Sequence, residues 1–237
     1  MDRVDGVGVM ARNVEAMKRI AAEAAVALVK EGMVVGLGTG STTKYAIEAL
    51  GEMAQDGFDV RGVPTSITTA NLAKEHGIAL TSLEECPVLD LAIDGADEVD
   101  PKLDLIKGMG GALFREKLVA AASKKVVICV DESKLVRHLG TRTPVPTEVH
   151  PFGWKVSKAR LEALGARPTL RLAGASTYRT DNDNYILDCR FRSIKNPGRL
   201  EEAISTVPGV VANGLFVGVA SAVLVGTPKG VRTLRSK

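Results

Sequence analysis

Val34-Val35-Gly36-Leu37-Gly38-Thr39-Gly40-Ser41-Thr42-Thr43 is a short uncharged apolar run that ends in glycines and hydroxyls, and its reading decides the fold. Four apolar or small residues in a row suit a strand buried on both faces. The glycines and hydroxyls then make a tight turn, and the following residues, Lys44 to Ala54, carry helical apolar spacing. Strand, glycine turn and helix are the first part of a βαβ unit.

Working outward, the same grammar repeats. Val14 to Lys30 is alanine-rich with helical spacing, and Gly32 is a natural C-terminal stop. VRGVPTS (60–66) reads as a strand, followed by a helix from about Thr68 to Glu75. LDLAIDGADEVD (89–100) runs from an apolar strand into carboxylates. LDLIKGMGGALFREKLVAAAS (103–123) passes from a short strand through glycines into a helix, and KKVVICVDESK (124–134) is a further buried strand. After Gly140 the pattern changes. TPVPTEVHP (143–151) is proline-rich, a linker or an edge strand. From VPTEV onward the order is strand, helix, strand, strand (YILDCRF), helix (PGRLEEAISTVPG), strand (GVVANGLFV), the split βαβ of ferredoxin-like domains. The tail SAVLVGTPKGVRTL offers a buried strand that returns to the first sheet. The expected fold is α/β: a mostly parallel Rossmann-like sheet flanked by helices, with a small ferredoxin-like α+β domain inserted. Residues 1–142 and 214–237 form the first domain and 143–213 the second.

Composition sets limits. With 45% hydrophobic and 25% charged residues among 237, the chain can bury a sizeable core. A net charge of +3 without a basic stripe, and only 4% aromatics, argue against a nucleic-acid partner. The three cysteines and three histidines are scattered without metal-ligand spacing, so no metal is expected. A reducing, cytoplasmic location fits, and the N-terminus has no apolar signal region. Ala203 to Pro228 lacks charge over a membrane-spanning length, but Pro208, Gly209, Asn213, Gly214, Gly218 and Gly226 break it into strand and turn. No membrane partner is expected.

Four places carry possible chemistry. In GLGTGSTT (36–43), Ser41 occupies the third glycine of a dinucleotide fingerprint and the GK[ST] of a Walker loop is missing. What remains is a helix N-terminus with free N–H groups and the hydroxyls of Thr39, Ser41, Thr42 and Thr43, which suits a small phosphate or carboxylate; the plain alternative is a cap. Asp94-Gly95-Ala96-Asp97-Glu98-Val99-Asp100 places carboxylates where a parallel sheet binds ligands, for proton shuttling, for a cation, or as a solvated acidic loop. Lys107-Gly108-Met109-Gly110-Gly111 sets N–H groups beside an ammonium, as an oxyanion requires. Glu116, one turn into the next helix, is a candidate base or a surface residue paired on its own face. Lys134 in Asp131-Glu132-Ser133-Lys134 either reaches a phosphate or merely opens a helix. Together they favour a cofactor-free acid/base enzyme for a small anionic metabolite.

GLGTGSTT, DGADEVD, KGMGGALFREK and DESK, in this order and spacing, resemble the type A ribose-5-phosphate isomerases, and the likeness extends through YILD, VPGVV and GTPKGV. The resemblance implies interconversion of D-ribose 5-phosphate and D-ribulose 5-phosphate, in the non-oxidative pentose phosphate pathway, without cofactor or metal. It implies phosphosugar contacts from Thr39, Gly40, Ser41 and Thr42, from Asp94, Gly95, Ala96 and Asp97, and from Lys107, Gly108, Met109 and Gly110. Glu116 matches the proton-transferring base, and Lys134 and Lys18 match basic positions near the phosphate. Catalytic roles fall to Glu116, Asp94, Asp97 and Lys107. A homodimer or homotetramer is implied, with the small domain as lid or oligomerisation element. Met109 stands where many members have glycine, tolerable if its φ stays negative. Phe114 replaces a small polar residue and changes packing. The alternatives are a non-enzymatic sugar-phosphate sensor, disfavoured because only about thirteen residues precede the first expected helix, and a deaminase or transferase on a similar sheet.

Overall fold

The computed structural model describes residues 5–235. Helix α1 (Asp5–Val26) leads into β1 (Val34–Leu37), and α2 (Thr43–Gln55) into β2 (Arg61–Pro64). Helix α3 (Ile67–Glu75) and β3 (Ala79–Leu80) precede β4 (Leu91–Asp94). Strands β5 (Glu98–Val99) and β6 (Leu105–Ile106) come before α4 (Leu113–Ala122) and β7 (Val126–Asp131), which runs into a 3-10 turn, Glu132–Lys134. Then follow β8 (Val145–Val149), α5 (Trp154–Ala163), β9 (Ala166–Leu170), β10 (Leu172–Ala173), β11 (Ser176–Thr177) and β12 (Tyr185–Phe191). Helix α6 (Pro197–Ser205), β13 (Val210–Asn213), β14 (Leu215–Phe216), β15 (Ala222–Thr227) and β16 (Gly230–Arg235) complete the order.

The chain divides into two compact units. Among the described residues, one comprises 5–95, 122–134 and 220–235; the other comprises 96–121 and 135–219. In the first, the described strands form one sheet in the order β16-β15-β7-β4-β1-β2-β3. Every neighbouring pair is parallel except the β15–β16 hairpin. The chain reverses its direction of travel across the sheet between β1 and β4, the switch point at which doubly wound sheets place ligands. Ala21, Ala22 and Ala25 of α1 are fully buried, and such small side chains let the helix lie close over β7 and β15. The helix starts earlier than the spacing predicts, at Asp5. Gly6 and Gly8 each cost roughly 1 kcal/mol against alanine, a local bias that a well-packed continuation overrides. It also ends earlier, at Val26: Leu28 and Val29 N–H groups reach back only three residues, so the last turn tightens ahead of Gly32.

In the second unit, β13-β8-β12-β9 form an antiparallel sheet, the strand order of the ferredoxin-like arrangement, with α5 packed on β9 and β12 and α6 on β13. TPVPTEVHP is neither linker nor edge: β8 lies between β12 and β13. Pro146 fits there because it is the second residue of the strand, and its C=O still accepts the Gly214 N–H at 2.7 Å. GVVANGLFV is two strands rather than one. The chain breaks at Gly214, after which β14 pairs with β6, and β6 pairs with β5. This junction holds Lys107, whose N–H donates to the Gly214 C=O at 2.9 Å.

Candidate active site

Asp94 is the last residue of β4, beside the end of β1. The Gly38 N–H donates to the Ile93 C=O at 2.9 Å and draws the turn after β1 against it. A Cβ at Gly38 would stand 2.1 Å from Asp94 Oδ1 and 2.7 Å from Asp94 Cα, so this approach requires glycine. Asp94 itself is buried, and its Oδ1 accepts the Gly95 N–H at 2.7 Å.

The Thr39 hydroxyl donates to Ser66 Oγ at 2.8 Å and lies 2.8 Å from Thr65 Oγ1 and 3.0 Å from Thr69 Oγ1. Thr65 and Thr69 in turn donate to the Leu37 and Gly38 carbonyls, so the hydroxyls of the β2–α3 turn hold the end of β1. Thr65, Ser66 and Thr69 lie outside the four motifs. Their signal is a hydroxyl pair ahead of a helix, with Ser66 capping Thr69 N–H, in the βα loop next to the glycine turn. The capping alternative for Thr42 is not realised: it makes no side-chain cap bond, while Thr43 Oγ1 donates to the Gly40 C=O. Gly40 and Ser41 are exposed at the N-terminus of α2. Lys18 pairs with Glu15 at 2.7 Å, and that ammonium, then the Tyr45 hydroxyl, hold the Glu15 carboxyl below its ordinary range. Lys134, half-buried, lies on the 3-10 turn after β7.

In the other unit, Lys107 Nζ lies 3.4 Å from Glu116 Oε1, and both side chains are only 4% exposed. Glu116 is therefore no surface residue. Its neighbour Lys117 takes the partner on the flank, Glu201 at 2.9 Å, and burial pulls the Lys117 ammonium below its ordinary value against that pairing. Lys107 Nζ also stands 5.5 Å from the centroid of the fully buried Phe216 ring. Burying either charge alone is expensive, so each carries the other; removing one partner of such a pair costs about 3–5 kcal/mol.

The acidic run is not a solvated loop. Asp97 Oδ2 accepts the Met109 N–H at 3.0 Å, and fully buried Glu98 accepts the N–H groups of Gly140, Arg142 and Thr143. Asp100 Oδ1 accepts the N–H groups of Lys102 and Asp104. These bonds fold the segment onto backbone donors, with Ala96 half-buried between Asp94 and Asp97. Gly108 takes φ +100° while Met109 keeps a negative φ, so methionine stands there without backbone strain. Phe114 packs against a cluster of Leu113, Ile186 and Ala212.

One unit thus carries hydroxyls and a buried carboxylate on its βα loops, and the other a buried lysine–glutamate pair. The family model for ribose 5-phosphate isomerase A (phosphoriboisomerase A) matches residues 61–230. The chain belongs to the ribose 5-phosphate isomerase A family. A ribose-5-phosphate isomerase A from Synechococcus sp. (strain JA-3-3Ab) is 53% identical over 222 residues, 92% of this chain and 96% of that one. A D-ribose-5-phosphate isomerase solved in complex with phospho-erythronic acid superposes with a TM-score of 0.92 at 45% identity, covering 94% of this chain and 99% of that one. The ribose 5-phosphate isomerase A of Methanocaldococcus jannaschii gives 0.89 at 44% identity, with 93% and 99% covered. Membership makes the chain an isomerase, which sets the sensor, deaminase and transferase alternatives aside.

Proposed function

We propose that the chain interconverts D-ribose 5-phosphate and D-ribulose 5-phosphate through an enediolate, with Glu116 as the base. The observation that carries this is the buried Lys107–Glu116 pair at 3.4 Å. Thr39, Gly40, Ser41 and Thr42, with Lys134 and Lys18, hold the phosphate, and that remote binding energy orients the sugar. After ring opening, the Glu116 carboxylate removes the proton on C2. The C–H electron pair forms the C1–C2 double bond, and the carbonyl pair moves onto O1. Negative charge thereby leaves Glu116 and appears on the enediolate, while Lys107 remains beside it throughout. No step leaves a lone charge in the buried site. Protonated Glu116 then returns the proton to C1, and Asp94 and Asp97 move protons between the oxygens and assist ring opening.

Two further observations support the reading. A relative 45% identical is solved with phospho-erythronic acid, whose planar carboxylate resembles an enediolate in charge and shape. The chain is also 53% identical over 222 residues to a named ribose-5-phosphate isomerase A. We assign the reaction to the non-oxidative pentose phosphate pathway in the cytoplasm, and the 143–213 segment to lid closure or to assembly as a homodimer or homotetramer. Replacing Glu116 by Gln removes the base but keeps its shape. Ketose formation should fall by about 10² to 10⁴, with phosphosugar binding by calorimetry retained. Turnover near the parent rate would dismiss Glu116 as the base.

A further inference from the structure

Arg171 lies in PTLRLA, a stretch that reads as ordinary strand, in the break between β9 and β10. Its guanidinium does not face solvent; the side chain is 12% exposed. Nε donates to Asp188 Oδ2 at 2.9 Å and Nη2 to Asp188 Oδ1, a two-pronged pairing. The remaining nitrogen, Nη1, donates to the carbonyls of Gly108 at 3.1 Å and Met109 at 3.0 Å. Tyr178 adds a third hold, with its hydroxyl 3.4 Å from the Gly110 C=O and its ring 5.7 Å from the Arg171 guanidinium. One arginine, anchored from behind by a carboxylate, thus grips two successive carbonyls of the glycine loop that follows Lys107.

The peptide group is planar, and in its trans form C=O and N–H point in opposite directions. Fixing the Gly108 C=O therefore fixes the Met109 N–H, which Asp97 Oδ2 receives at 3.0 Å. Fixing the Met109 C=O turns the Gly110 N–H away from Arg171. A loop with Gly108, Gly110 and Gly111 has little conformational preference of its own, so these orientations have to be imposed.

We propose that Arg171, held by Asp188, is a positioning residue for the isomerisation: it sets the Gly110 N–H as a donor to the enediolate and seats the Asp97 carboxylate. The proposal rests on the reading of this loop as the oxyanion site. Arg171 touches no reacting atom, so its loss acts on the transition state and spares the phosphate contacts. Misplacing such a donor by about 1 Å costs about 10²-fold in rate.

The test is steady-state kinetics on Arg171→Ala, Arg171→Lys, Asp188→Asn and Lys107→Met, with circular dichroism and melting of each. Arg171→Ala should lose about 10²-fold in kcat with KM little changed, and added guanidinium should restore much of the loss. Lysine cannot grip two carbonyls while bridging to Asp188 and should recover only part. Unchanged kcat in Arg171→Ala overturns the proposal. So does a loss that guanidinium leaves untouched in a variant that melts like the parent. If Arg171→Ala does not fold, Asp188→Asn decides: lowered kcat at constant KM supports the clamp, and parent kinetics overturn it. Lys107→Met separates the two ideas. Its inactivity beside a fully active Arg171→Ala overturns the clamp alone, whereas a fully active Lys107→Met overturns the oxyanion reading and the clamp with it.

Discussion

Gly38→Ala is a single methyl group placed where the first sheet meets its candidate ligand end. Gly38 has no left-handed φ to lose, so the effect is steric. The new Cβ would lie 2.7 Å from Asp94 Cα, against about 3.4 Å for ordinary van der Waals contact, so backbone must move by roughly 0.7 Å. Rotating the Asp94 side chain relieves the 2.1 Å approach to Oδ1 but not the approach to Cα. Overpacking of this kind costs about 1–3 kcal/mol. For a chain of this size that is about 2–4 °C of melting temperature per kcal/mol. A shift approaching 1 Å at Asp94 and Thr39 also costs up to about 10²-fold in turnover. Urea melts and a ketose-formation assay read both effects. Gly198→Ala is the contrast, since its Cβ would meet Val217 at 3.6 Å and Asn196 at 3.8 Å within α6. There helix propensity predicts a gain of about 0.5–1 kcal/mol. A Gly38→Ala protein with the parent's midpoint and turnover would refute the argument that the β1–β4 approach is closed to any side chain.

Two other outcomes follow from burial. Cys129 and Cys189 are buried, and burial pushes both thiols up, Cys189 to about 12, whereas Cys86 is partly exposed. Ellman's reagent should modify Cys86 alone in the native protein and all three cysteines in urea; fast native labelling of a second thiol would contradict the packing. Burial also raises the Asp104 carboxyl above its ordinary value, against the Gly218 N–H that donates to it. Its stabilising contribution is therefore present at low pH and lost as pH rises through the folded pKa. Asp104→Asn keeps the acceptor without the charge, so its melting temperature relative to the parent should climb as pH rises above the ordinary carboxylate range. A flat difference would count against a raised pKa.

The helices and strands were legible where the apolar period was unbroken. Val126–Asp131 is six buried residues in a row and reads as a buried strand by inspection. Val145–Val149 misled because Pro146 marks an edge by local rules; its interior place depends on where β13 stops and on a carbonyl used by Gly214, 68 residues away. Gly214 likewise looks like one residue of a single strand until β6 supplies β14 with a different partner.

The chemistry divides in the same way. Asp94, Lys107, Glu116 and the 39–43 hydroxyls stand in contiguous motifs, because βα loops gather their groups from a few neighbouring residues. The sequence by itself determined the βαβ grammar and the ferredoxin-like order, since both are set by short-range period and spacing. Only tertiary structure decided that Glu116 is buried against Lys107 and not paired on its own helix. It alone brought Thr65, Ser66 and Thr69 to Thr39, and Arg171 to the 108–109 carbonyls. The physical reason is that burial and hydrogen-bond partnership belong to pairs of residues. Here those pairs are separated by 26 to 30 residues at Thr39 and by 62 to 63 at Arg171, spans over which no local pattern carries information.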